Sequence, residues 1–196
     1  MKKQVFYTIA AGFMVLASCG QQVNKDSIST QDLLQTTDKV VKSGKASTAI
    51  EYNDAIVGLQ ARIIEEMLVV LNLEGKDPVA DLKHLTSTVK TCREELKALQ
   101  VFEGGEDLKQ AADELFSFYQ RACEKPWLKA FEIYVSANRE MDETQSKEFL
   151  ALLEEGSSGE EKYDNAFAAA QEGFARRYGF AIIDNELQGK IDDAGK

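Results

Sequence analysis

The chain is poor in the residues on which most site chemistry depends. Its 196 residues include one histidine, two prolines and one tryptophan. A di-iron helix bundle needs two Glu-x-x-His pairs. The nearest approach is Asp81-Leu82-Lys83-His84, a single copy with Asp in place of Glu, and His84 reads as a surface residue. A Cys-x-x-Cys-His haem attachment is absent, as are a Gly-rich phosphate loop and a Gly-x-Ser-x-Gly elbow. With no nucleophile–base pair in view either, the chain reads as neither an enzyme nor a cofactor protein. No stretch alternates apolar and polar residues over strand length, which argues against a sheet. Cationic charge is also short: 23 Lys and Arg face 33 Asp and Glu. Such an acidic surface repels nucleic acid and anionic lipid headgroups alike.

What the chain does have begins at its N-terminus. Lys2-Lys3 precede an apolar run from Val5 to Leu16, and Leu16-Ala17-Ser18-Cys19 follows directly. A basic start, a short apolar core and small residues before a cut site describe a secretory signal peptide. The run falls short of the roughly 20 apolar residues of a membrane span. Leu16-Ala17-Ser18-Cys19 resembles the lipobox of bacterial lipoproteins, in which the Cys thiol takes a diacylglycerol, the signal is cut before it and the new N-terminus is acylated. The resemblance implies a signal peptide over residues 1–18 and lipid on Cys19. It also implies attachment to the membrane through that lipid. Cutting there removes Lys2 and Lys3 and leaves 21 basic against 33 acidic side chains, a net charge of −12. The acyl chains, not the protein surface, must then hold the domain at the bilayer. Each buried CH₂ contributes about 0.8 kcal/mol and two chains already anchor stably. With Cys19 lipidated, one His and two cysteines remain, too few for a zinc set. Gly20-Gln21-Gln22 lacks an Asp at the second position and so resembles outer-membrane-sorted lipoproteins. It also lacks the acidic run that some surface-exported members carry.

Residues 19–46 are polar, lack clear periodicity over Gly20–Thr30, and read as a flexible stalk, with at most a short amphipathic turn at Leu33, Leu34, Val40 and Val41. Residues 47–183 carry the helical pattern. Thr48 and Glu51 fit a capping box, and Tyr52, Ile56, Leu59, Ile63, Met67 and Val70 recur at steps of three and four up to Gly75. Asp77-Pro78 caps and opens a second stretch, with Leu82, Leu85, Val89, Cys92, Leu96 and Leu99 as a bundle seam before Gly104-Gly105. The third runs from Glu106 through Leu108, Ala112, Leu115, Tyr119 and Ala122 to a kink or break at Pro126. Unbroken to Glu155 it would be about 75 Å long, so a break near Asn138–Thr144 and a short extra helix around Phe149 are expected. After the Gly156-Ser157-Ser158-Gly159 loop, Ser158 with Glu161 repeats the capping-box spacing. Tyr163, Phe167, Ala170, Phe174 and Tyr178 form a last stripe, ended by Gly179 and Phe180 in a Schellman-type stop. Residues 184–196 are a polar tail. Four long amphipathic stretches with short loops make an all-α, up-down-up-down four-helix bundle, its third helix kinked near Pro126.

Three groups of residues invite a functional reading. Glu65-Glu66, Glu94-Glu95, Glu154-Glu155 and Glu160-Glu161 point about 100° apart within each pair and read as solvated faces. Phe116, Tyr119, Trp127, Phe131 and Tyr134 near the Pro126 kink are either core or the lining of an apolar groove, with core favoured. The third group comes from an internal echo. Tyr52-Asn53-Asp54-Ala55-Ile56 with Gln60 has the spacing of Tyr163-Asp164-Asn165-Ala166-Phe167 with Gln171. Asn53, Gln60, Asp164 and Gln171 then form a candidate polar cluster between the first and last long helices, with Gln60 opposite Gln171 when Tyr52 lies level with Gly179. Cys92 and Cys123 fall at different heights on neighbouring helices and should be free thiols.

Taken whole, the lipobox, the Tyr52-Asn53-Asp54 stretch and the Phe174-Ala175-Arg176-Arg177-Tyr178 ending resemble small helical surface lipoproteins of unknown function from Gram-negative bacteria. That likeness implies no activity. The expectation is a lipid-anchored envelope protein whose bundle binds another envelope protein or serves a structural role; the alternative is a carrier or sensor of a small apolar ligand.

Overall fold

A computed structural model describes residues 29–71 and 77–182. The expected signal peptide, Cys19, the first part of the stalk, Gly75 and the 184–196 tail lie outside the described residues. The rest is all-helical: α1 (Thr30–Ser43), α2 (Ala49–Leu71), α3 (Pro78–Ala98), α4 (Glu106–Glu124), α5 (Pro126–Ser136), α6 (Glu143–Ser157) and α7 (Glu160–Tyr178). Among the described residues there is no strand, and no helix is long and apolar enough to cross a membrane.

The helix ends follow local chemistry. The Thr48 hydroxyl accepts from the Glu51 N–H at 3.1 Å, while the Glu51 carboxylate takes the Ser47 N–H at 2.8 Å. Asp77 caps α3 through the N–H groups of Val79 and Ala80, with Pro78 in the first turn, where its missing donor costs nothing. Gly179 adopts φ +69°, and the Phe180 N–H reaches back to the Ala175 carbonyl at 3.2 Å. This is the expected Schellman stop. Lys125, just before Pro126, leaves helical geometry and divides the third stretch into α4 and α5. The second break falls where expected, with Asn138 and Arg139 at positive φ between α5 and α6.

Two expectations fail here. Residues 30–43 are not stalk but a helix of four turns, and its Leu33, Thr37 and Val40 face inward and are buried. Gly58 on α2 makes this possible: a Cβ built there would lie 1.8 Å from Thr37 Oγ1. The Thr37 hydroxyl sits between the Leu33 carbonyl at 2.8 Å and the Asp54 carbonyl of α2 at 3.2 Å. Arg62 on α2 then ties Asp38 of α1 to Glu95 of α3, the latter at 2.7 Å. The second failure is the start of α7. Ser158 does not cap it but ends α6, and Gly159 at φ +89° makes the turn without any side-chain cap. Gly156 stays inside α6 because the edge of Trp127 packs on it; a Cβ there would meet Nε1 at 2.1 Å.

In the packing, α2, α3 and α4 form a continuous series of neighbours. Helix α1 lies along α2, and α5 and α6 pair with each other as α5 closes on α3 and α4. Helix α7 rests mainly on α4 and more lightly on α2. One core runs through the middle of this assembly, from Val40 and Tyr52 to Phe167 and Phe174, with a small satellite of Leu33, Ala61 and Ile64 under α1.

Candidate functional site

The aromatic residues of α4 and α5 belong to the core. Phe116, Tyr119, Trp127 and Phe131 are buried, and the Phe131 and half-buried Tyr134 rings meet Phe149 of α6 at 6.2 and 6.0 Å. The apolar groove considered for these five side chains is therefore filled by the chain itself: α6 supplies Phe149, and Gly156 seats the indole. His84 is exposed and lies 2.8 Å from Glu66. Cys92 and Cys123 are free and buried. Burial pushes each thiol up to about 12.

The four polar residues do not gather into one cluster. They divide between two places. At the first, Gln171 Nε2 donates to Asn53 Oδ1 at 3.1 Å, joining α7 to α2, and Asn53 Nδ2 donates to Asp54 Oδ1 at 3.1 Å. Gln171 thus meets Asn53 rather than Gln60, two helical turns from the expected partner. The register is set elsewhere. The Tyr52 ring packs at a tilt against Phe174 at 5.6 Å and Phe102 at 6.0 Å, and its hydroxyl donates to the Gly105 carbonyl at 3.2 Å. Tyr178 runs on past it to pack on Phe102 at 5.5 Å and to donate to the Glu103 carbonyl. Tyr52 is therefore level with Phe174, not with Gly179.

The second place is unexpected. If the internal echo were followed strictly, the mate of the Asn53–Gln171 bond would be a Gln60–Asp164 bond. It is not made. Asp164 turns instead toward α4 and accepts from the Tyr119 hydroxyl at 3.4 Å. Glu160, one turn earlier on α7, is buried beside it at 7 % exposure, and its Oε2 has no hydrogen-bond partner. The reading of Glu160-Glu161 as a solvated pair is thus half wrong: Glu161 is exposed and Glu160 is inside. The signal was present in the spacing. Glu160, Asp164, Phe167, Gln171 and Phe174 follow a 4-3-4-3 seam that α7 turns inward: of the expected stripe Phe167 and Phe174 are buried, Tyr163 and Ala170 are half-buried and Tyr178 is exposed. Burial pushes the Glu160 carboxyl up to about 8, with the neighbouring Asp164 charge adding to the effect and the Tyr119 hydroxyl opposing it. Burial likewise raises Asp164 to about 7, against the Tyr119 hydroxyl, which favours its charged form. Burial drives the Tyr119 phenol well above its ordinary value, and the two carboxyls push the same way.

Chemically, this group can hold protons but offers little to a metal. No three His, Cys, Asp or Glu side chains come together as a metal site among the described residues. Comparison of the chain with protein-family models, with curated proteins and with solved structures finds no match to any of them.

Proposed function

We propose that the protein is a lipid-anchored component of a bacterial cell envelope, held by lipid on Cys19 and sorted to the outer membrane, whose helical domain binds another envelope protein or serves a structural role. The observation that carries this reading is Leu16-Ala17-Ser18-Cys19 standing directly after Lys2-Lys3 and the apolar run. The four long helices α2, α3, α4 and α7 make an up-down-up-down bundle in this proposal, with α1 as an outer brace on α2. Two features of the domain support a binding or scaffolding role over catalysis. Its buried tyrosines and phenylalanines pack on one another, and its buried thiols are held in the neutral, unreactive form. The chain between Cys19 and Thr30 spans ten residues, a reach of at most about 36 Å. The domain and any partner it grips are thereby kept close to the bilayer.

The test is chemical. In the wild-type protein, detergent-phase partition and a mass increment on the Cys19 peptide are expected. Cys19→Ser should leave the signal uncut or the protein in the aqueous phase. A Cys19→Ser protein recovered in the membrane with the same lipid mass would refute the proposal. Proximity labelling in cells names the partner, and protease shaving of intact cells fixes the face of the membrane.

A further inference from the structure

Glu160 and Asp164 stand one turn apart on α7 with only 7 % and 4 % of their surface exposed. Two carboxylates so placed repel each other and lose their water, which is tolerable only when a counter-charge or a proton joins them. No counter-charge does. None of the ion pairs among the described residues includes either group. From α4 the facing titratable group is Tyr119, itself 3 % exposed, whose single proton goes to Asp164 Oδ1. Cys123, one turn further along α4, is a neutral thiol. From α2 the register fixed by Asn53–Gln171 brings the uncharged amide of Gln60, buried at 7 %, to the height of Asp164. On α7 itself, Glu161 and Lys162 are exposed, and Lys162 lies over the Tyr163 ring at 5.4 Å. The Tyr119 hydroxyl also stands beside the Glu160 carboxyl, but its one proton is committed to Asp164 Oδ1, and Glu160 Oε2 is left buried at the α4–α7 joint without a hydrogen-bond partner.

We propose that Glu160, Asp164 and Tyr119 form a proton-binding site: near neutral pH the two carboxyls hold one proton, carried by Glu160 and shared with the Asp164 carboxylate, and its loss loosens the first half of α7 from α4. The proton gives Glu160 Oε2 the hydrogen bond it lacks and leaves Tyr119 to serve the remaining charge. Both acids bind protons more tightly in the folded chain than the ordinary carboxylate range near 4 allows. Their contribution to stability is therefore complete below about pH 4, declines as the pH rises, and is gone above the folded values of about 7 and about 8. The effect is local. The second half of α7 is held separately by Phe174 and Tyr178 on Tyr52 and Phe102, and by Gln171 on Asn53.

Hydrogen exchange on the full-length protein in detergent, at about pH 6 and about pH 9 and corrected for the intrinsic rates, tests this. Each proton lost over the window weakens the joint by up to about tenfold per pH unit. In the wild type, amides of residues 161–168 should lose at least about tenfold more protection than those of 171–178. In Glu160→Gln that difference should fall to the share that Asp164 still contributes, because a neutral amide has no proton to lose while Asp164 keeps its own raised value. A wild type with no such difference, or a Glu160→Gln protein that keeps the full wild-type difference, overturns the proposal. Where Glu160→Gln does not fold, Asp164→Asn reads the same joint: the difference should shrink below the wild-type value by the share of Asp164, and an undiminished difference overturns the proposal. Infrared spectra of the wild type supply a check that needs no variant: a protonated-carboxyl band at about pH 6 that disappears by about pH 9 is expected, and its absence at about pH 6 overturns the assignment. Calcium added at about pH 9 is the remaining arm. Recovery of protection in the wild type by the metal would make this a cation site and overturn the proton reading; no recovery supports it.

Discussion

Gly156 and Gly58 lie within helices where a side chain of a neighbouring helix occupies the place of a Cβ, and each is defined by what lies over it. At Gly156 the neighbour is Trp127, the chain's one tryptophan, whose Nε1 and Cδ1 would meet a Cβ at 2.1 and 2.3 Å. A rigid indole cannot move aside as the end of a lysine can. Gly156→Ala should therefore lose about 1–3 kcal/mol by overpacking, offset in part by the roughly 1 kcal/mol that Ala gains over Gly within a helix. A lower thermal midpoint and a red shift of the tryptophan emission are expected. An unchanged spectrum together with a raised midpoint would contradict the packing described. The buried carboxyls belong to this scale too. Glu160 differs from Glu161 by one position in sequence and by almost its whole solvent exposure, because one lies on the seam of α7 and the other does not.

The Asn53–Gln171 bond is the polar contact between α2 and α7 and an instance of how elements find their register. Apolar rows alone allow a helix to slip by a turn at modest cost; a buried amide allows it less, since an unpaired amide costs about 1–3 kcal/mol. A double-mutant cycle on Asn53→Ala and Gln171→Ala should give a coupling of about 0.5–1 kcal/mol, at the lower end because Gln171 is half-exposed. The cycle of Gln60→Ala with Gln171→Ala should give none. Coupling in the second pair and not the first would restore the alternative register. Helix α1 teaches the same lesson from the other side. Its sequence is mostly polar, with Leu33, Thr37 and Val40 as its inward positions, and alone such a segment would hardly be helical. It is a helix because α2 presents Gly58 and Arg62 to it.

At the scale of the molecule, a single core links the seven helices of the described residues, with Cys92 and Cys123 inside it. Both thiols are thus reporters of the whole fold. Burial holds them at about 12, so a thiol reagent at neutral pH finds almost no thiolate and no path to it. In the native protein they should react only as fast as the domain opens. Denaturation without reductant should release two thiols. A native thiol that reacts in seconds would mean that the core opens locally, and denatured protein with none would mean a disulfide.

The sequence by itself determined the helical class, most helix ends and the Pro126 break. Asp77-Pro78, Thr48 and the Gly179-Phe180 stop act within one turn of chain, through capping bonds and fixed backbone angles, and need no partner. It also carried Leu16-Ala17-Ser18-Cys19, on which the proposed lipid anchor rests. Which residues meet was decided by the tertiary structure. Gln171 pairs with Asn53 because the Tyr52–Phe102–Phe174 tier fixes how far α7 slides. Residues 30–43 became helix because α2 can be approached at Gly58. Glu160 went inside because α7 leans on α4 more than on α2 and turns its 160–164–167 seam toward Tyr119. These are long-range choices among faces of similar apolarity. Local propensity barely separates such faces, and the difference lies in close approach, ring packing and the desolvation of a few polar groups.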